Sequence, residues 1–245
     1  MDNTAVLAAS GLRSRMEALD LLANNLANAS TSGFKADVEM YGVYSADENF
    51  GGDRTSAAFP DLSGKWTNFS QGNLETTGNP TDLALSGPGF FALKSPSGNL
   101  YSREGNLRVG KDGTLCNKEG YAILNEKNLP IQLDPSSPFE IAKNGSIRQS
   151  GQTVGQISVV RFNSEAALEK AGTCYYKSNE ATGAAVQSVD AEIHQGKLES
   201  SNVSPAESAI RLVSLMRQAE FLQRALTLSG EMGKKSTDEI GRVGS

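Results

Sequence analysis

Few residues in this chain are equipped for chemistry, and their spacing argues against it. The single histidine, His194, precedes "QGKLESS" with no cysteine or carboxylate cluster beside it, so it reads as structural or solvated. Cys116 and Cys174 stand 58 residues apart, which fits no zinc spacing. They can form one disulfide in an oxidising compartment, but two small buried strand residues is the favoured reading. Asp82 with Glu104, or Asp112 with Glu119, would suit acid–base work if folding joined them. Nothing in the sequence does, and turns are rich in aspartate. "SGPGFF" at 86–91 lacks the lysine and the following helix of a phosphate loop, and reads as a tight turn before a strand. No catalytic, cofactor-binding or metal-binding residue is therefore assigned. The conspicuous polar groups are amides: Asn24, Asn25 and Asn28 in "LANNLANASTSGF". Facing other chains, they would hydrogen-bond and fix register; facing solvent, they would merely end a helix.

The element that carries these amides is predicted as a helix over 3–29. Ala5, Ala8, Leu12, Leu19, Leu22 and Leu26 fall on 3-4 spacing, with Arg15 the exception in the series. "ASTSG" ends it, with Gly33 free to turn left-handed. A second helix is predicted over 204–235. Ser204 is its N-cap, Pro205 its first residue and Glu207 the capping-box partner. Leu212, Leu215, Ala219, Leu222 and Leu226 repeat the seam, and the tail "STDEIGRVGS" is expected to fray. Other faces are apolar too: Val6, Ala9, Met16 and Ala23 on the first helix, and Ile210, Val213, Met216, Phe221 and Ala225 on the second. A helix apolar on more than one face wants more than one neighbour, which points to packing among many chains.

Between the helices the period changes from 3.6 to 2. Glycines mark turns between short strands, in "GFFALKSPSGNLYSRE", "NLRVGKDGTLCNKEGYAIL" and "FEIAKNGSIRQSGQTVGQISVVRF". An all-β domain is predicted over 81–195, with "TCYYK" a further strand and "EAALEKAG" a turn or two of helix. Residues 36–80 show no sustained period and read as an extended connector, strands forming only against a partner. "QGNLETTGNP" at 71–80 echoes "QGKLESSNVSP" at 195–205, which suggests a shared structural role at the two borders of the β region. The division is thus 1–35 N-terminal helix and cap, 36–80 connector, 81–195 β domain and 196–245 C-terminal helix. The fold class is a mainly β central domain flanked by long terminal helices that pack as a coiled coil in an assembly.

Totals exclude several classes. A net charge of −5, with no basic cluster beyond Lys234–Lys235, argues against nucleic acid. No run of 18 apolar residues suggests membrane insertion. The start "MDNTAVLAASGLRSRMEALD" lacks the basic opening and apolar run of a Sec-type leader, so export, if it occurs, is expected without a cleaved signal.

Four stretches in order carry a resemblance: "LANNLANASTSGFKAD", "SQGNLETTGNPTDLALSGPGFFAL", "YSREGNLRVGKDGTLCNKEGYAIL" and "GKLESSNVSPAESAIRLVSLMRQAEF". Together they resemble the motifs of the bacterial flagellar axial proteins of the rod and hook, over nearly the whole chain. The resemblance implies a structural, non-enzymatic subunit of the basal-body rod. It implies a chain exported unfolded by the flagellar type III apparatus, whose terminal helices form an inner tube with β domains outside. Its partners would be copies of itself and neighbouring rod and hook proteins. The length, with one β domain, favours the rod over the hook. "MDNTAVLAASG" and "MRQAEFLQRALTLSGEMGKKS" look more like the proximal than the distal rod type, which has something nearer "QRAYEANAK" where this chain reads "RQAEFLQRA". A distal-rod or hook-type subunit is the alternative within the family, and a secreted β-domain adhesin the alternative outside it. On the rod reading the subunit interface holds Leu12, Leu19, Leu22, Asn25, Leu26, Asn28, Leu212, Leu215, Leu222 and Leu226.

Overall fold

The structure, a computed structural model, describes residues 3–45 and 58–243. It is mainly β, between an N-terminal helix α1 (Asn3–Ala27) and a longer C-terminal helix α2 (Pro205–Val243). Its contacts divide into two compact units. One holds Met1–Ala27, Asp37–Trp66 and Ser204–Ser245; the other holds Asn28–Ala36 and Thr67–Val203. The compact β unit thus reaches beyond the expected 81–195 on both sides.

In the first unit, α1 and α2 run antiparallel: Gly11 lies beside Leu222, while Ala18 and Leu22 cluster with Leu212 and Leu215. The start of α2 follows its sequence signals. The Ser204 hydroxyl accepts from Glu207 N–H at 3.4 Å and the Ser204 carbonyl from Ser208 N–H at 2.9 Å. The end does not follow them: α2 continues through the tail to Val243. No proline intervenes, and once a helix exists each added residue gains a hydrogen bond at little further cost. The connector is not featureless either. Strands β1 (Asp37–Ser45) and β2 (Ala58–Thr67) pair with each other inside the chain, with no partner needed. Residues 46–57 of the connector lie outside the described residues, as do the side chains of Ala5, Val6 and Ala8.

The second unit starts with β3 (Leu74–Thr76) and β4 (Leu83–Ser86). The β5–β6 hairpin follows (Phe90–Ser95, Gly98–Ser102), then β7 (Leu107–Val109), β8 (Leu115–Asn117) and β9 (Ala122–Ile123). Next come β10 (Phe139–Ile141), β11 (Ser146–Gln149), β12 (Gln152–Gln156) and β13 (Val159–Arg161). The last are β14 (Glu169–Lys170), β15 (Tyr175–Lys177), β16 (Val186–Gln187), β17 (Glu192–Gln195) and β18 (Lys197–Glu199). "EAALEKAG" makes one 3-10 turn, Glu165–Ala167, then β14. A nine-stranded sheet runs β14-β15-β6-β5-β9-β8-β7, with β13 and β16 joined at β5. Its central strand explains the unbroken apolar run "FFAL". Phe91 and Leu93 enter one core with Leu83, Leu115 and Ile147, while Phe90 and Ala92 enter a second with Tyr101, Phe162 and Tyr176. Side chains alternate across a strand, so a strand buried on both faces must be apolar throughout.

The echoed stretches are partners. β3 pairs antiparallel with β18, Lys197 opposite Thr76 and Glu199 opposite Leu74. The segments entering and leaving the β unit close it by pairing with one another.

Candidate functional site

The proposed seam residues separate by depth. Leu22 and Leu215 are buried with Ala18; Leu19 and Leu212 pack at the edge of that cluster. Leu12, Leu26, Leu222 and Leu226 are half-buried. Among the described side chains of α2, only Ser208 and Leu215 are buried. Within the chain α1 and α2 cover one stripe of each other, and β1 adds Asp37 to Asn25 and Glu39 to Arg211.

Both helices carry a second stripe, facing solvent. On α2, Ile210, Ser214, Arg217, Phe221, Arg224 and Leu228 recur at steps of four and three and are all exposed; Ile210 is 74% and Phe221 73% accessible. On α1, Ala9, Arg13, Met16, Asp20, Ala23 and Ala27 do the same. Such spacing is that of a helix seam; Arg13 is held by Glu17 of its own helix at 3.0 Å, and no other element packs over the apolar residues of either stripe among the described residues. A groove on this unit is lined by Ile210, Val213, Phe221 and Leu222, with Arg15 and Arg217.

The three amides part company. Asn25 is buried and works inside the chain: its Nδ2 donates to the Asp37 carbonyl at 2.7 Å, and its Oδ1 accepts from Asp37 N–H at 3.0 Å. It thus satisfies the backbone at the start of β1 as a neighbouring strand would. Its amide hydrogen bonds are therefore intrachain. Asn28 accepts from the Thr31 hydroxyl at 3.3 Å and closes the helix end. Asn24 is exposed.

The β unit has a polar centre that sequence reasoning missed. Lys35, from "SGFKAD", and Glu199, from "GKLESS", meet at 2.6 Å with no solvent exposure of either side chain. Glu199 Oε1 also accepts from Gly72 N–H at 2.9 Å, and Oε2 lies 3.4 Å from Arg103, of "YSREGN". Lys35 donates further to the Ser70 carbonyl at 2.7 Å. Arg103 donates to the Gly87 carbonyl at 2.8 Å and lies over the Phe90 ring. Burial lowers the pKa of Lys35 and of Arg103, and the Glu199 carboxylate opposes both shifts. One carboxylate between two buried cations cannot be removed cheaply, since both would then lie uncompensated away from water. Asn202 completes the closure, accepting from Ala36 N–H at 2.8 Å and donating to the Asn68 carbonyl at 2.8 Å. Two glycines make room. Gly33 has φ +71°, and a Cβ there would fall 2.4 Å from Glu104 N; at Gly72 it would fall 2.0 Å from the Ser200 carbonyl oxygen.

The conjectured acid–base pairs do not form. Asp82 accepts from Thr77 and Asn79, and Asp112 from Thr114, each within its own turn. The carboxylates that do converge are Glu104 and Glu119, both on the Tyr175 hydroxyl. That hydroxyl has one proton to give and already accepts from Asn117 at 2.8 Å. Lys118 holds Glu104 at 2.6 Å. The group ties the 117–121 turn to β15. His194 sits 3.7 Å from Glu192. Both cysteines are free and buried, and burial pushes the Cys174 thiol up to about 12. Among the described residues no His, Cys, Asp and Glu cluster could hold a metal, and no helix is long and apolar enough to cross a membrane.

Three family models match this chain. Flagella basal body rod protein covers residues 7–35, the flagellar hook protein FlgE/F/G D1 domain covers 84–154, and the flagellar basal body rod FlgEFG protein C-terminal region covers 194–239. Among curated relatives, the flagellar basal-body rod protein FlgF of Caulobacter vibrioides is 32% identical, over 99% of this chain and 100% of its own length. FlgF of Mesorhizobium japonicum is 30% identical, over 100% and 99%. The rod protein FlgG of Buchnera aphidicola from Schizaphis graminum is 30% identical, over 94% and 96%. The matched ends contain Asn25, Lys35 and Glu199, so the resembling motifs hold the residues that close the two units.

Proposed function

The chain belongs to the family of flagellar basal-body rod proteins, and from that premise we propose that it polymerises through its terminal helices into the axial shaft. It is a structural rod subunit and not an enzyme; the adhesin alternative has no support. The whole-length likeness to two FlgF proteins favours the proximal-rod type. Its partners on this reading are copies of itself, neighbouring rod and hook proteins and the flagellar type III export apparatus. The observation that carries the reading is the second stripe of α2, where Ile210 and Phe221 stand exposed while Leu215 of the same helix is buried against α1. Covering such residues contributes about 1.5–3 kcal/mol each, and a polymer repeats the gain in every subunit.

The test is incorporation. Leu22→Asp and Leu222→Asp should be exported at normal levels and be missing from purified basal bodies, while the β unit keeps its hydrogen-exchange protection. Wild-type incorporation of both leucine variants would refute assembly through the helices.

A further inference from the structure

The groove beside α2 asks for an occupant of particular chemistry. Ile210, Val213, Phe221 and Leu222 offer an apolar surface, and Arg217, exposed and without an ion pair among the described residues, offers a charge that an anionic side chain would complement. A surface of that kind is present on the same chain. The exposed stripe of α1 sets Met16 one helical turn before Asp20, and Asp20 likewise has no ion-pair partner among the described residues. Ala9, Ala23 and Ala27 flank them, and small side chains let a second helix approach closely; Arg13, on the same stripe, is already paired with Glu17 at 3.0 Å. Within one chain the two surfaces cannot meet, because α1 turns Ala18 and Leu22 toward α2 and its stripe the other way. We propose that the Met16–Asp20 stripe of α1 seats in the α2 groove of a second copy, with Asp20 against Arg217. The proposal rests on the reading that this chain polymerises through its helices, and names the faces. The contact is head-to-tail: each copy offers one stripe and one groove. A contact of this type does not close on itself in pairs and builds a ring or an open helical array, according to the rotation between copies.

Charge reversal tests it. Asp20→Arg, Arg217→Asp and the double variant would each replace the wild-type chain in cells, and incorporation into purified basal bodies would be measured relative to exported protein. Circular dichroism of each purified variant would check that the helices are retained. Each single change should lower incorporation about tenfold or more, since it sets like charges together. The double variant, with its charges exchanged, should recover most of the loss. Wild-type incorporation of either single variant would overturn the pairing. Loss in both with no recovery in the double would mean that the groove takes a different chain, and would overturn it equally. Leu22→Asp serves as the reference: if it is lost while the charge variants incorporate normally, assembly through the helices stands and this seam is wrong.

Discussion

Strand β5 has six residues and places Phe90, Phe91, Ala92 and Leu93 in two cores. Helix α2 has 39 residues and, among its described side chains, buries only Leu215 and Ser208. The β unit buries two apolar cores within one chain and closes them with a buried ion cluster. The helix pair satisfies one stripe of each helix and leaves another open. The difference lies in continuity: the first leaves only scattered apolar side chains such as Leu129 and Val189 exposed, and the second leaves a continuous helical stripe that its own chain does not cover.

The comparison is broken most severely at Glu199. Glu199→Gln removes the one carboxylate between Lys35 and Arg103, and should cost the β unit about 3–5 kcal/mol. Urea unfolding should show it, and hydrogen exchange should place the lost protection in β5, β6 and β18. A change below about 1 kcal/mol would mean that the cluster is incidental to closure. Leu215→Ala acts on the other side. It empties the centre of a small seam and should cost the helix pair about 2–3 kcal/mol, with faster exchange in α1 and α2. Unchanged exchange in both helices would show that the intrachain seam contributes little.

Asn25→Ala comes next, at about 1–2 kcal/mol, because it leaves the Asp37 N–H and carbonyl without their side-chain partners. Its effect should appear as exchange at Asp37 and along β1, and as weaker incorporation only in proportion to that loss. Replacing both cysteines, by Cys116→Ser with Cys174→Ser, should leave motility close to normal, because neither lies in a helical seam. The smallest effect is in acid. Thr114 beside Asp112, Ser136 beside Asp134 and Lys143 beside Glu192 hold these exposed carboxyls below their usual range. A depressed folded pKa stabilises above the unfolded value and is lost as the pH falls through the folded one. The melting temperature of the β unit should therefore decline modestly below about pH 4, and a flat profile there would count against these turns.

Local pattern and covalent order determined much of this protein by themselves. The 3-4 spacing of leucines made the helices, Ser204–Pro205 placed the start of α2, and glycine turns between short apolar runs made the strands. The echo of "QGNLET" in "QGKLES" foretold a shared role without saying that the two would pair with each other. The apolar stripes on more than one helix face were legible because helical periodicity assigns a face without knowing the neighbour. The tertiary structure alone decided what joins what across long separations. Lys35 meets Glu199 164 residues away, Asn25 finds the backbone of Asp37, and Glu104 rather than Asp82 shares a hydroxyl with a second carboxylate. A charge or an amide is specified by its residue type, but its partner is set by which segments the fold brings within about 3 Å, and no local period encodes that distance.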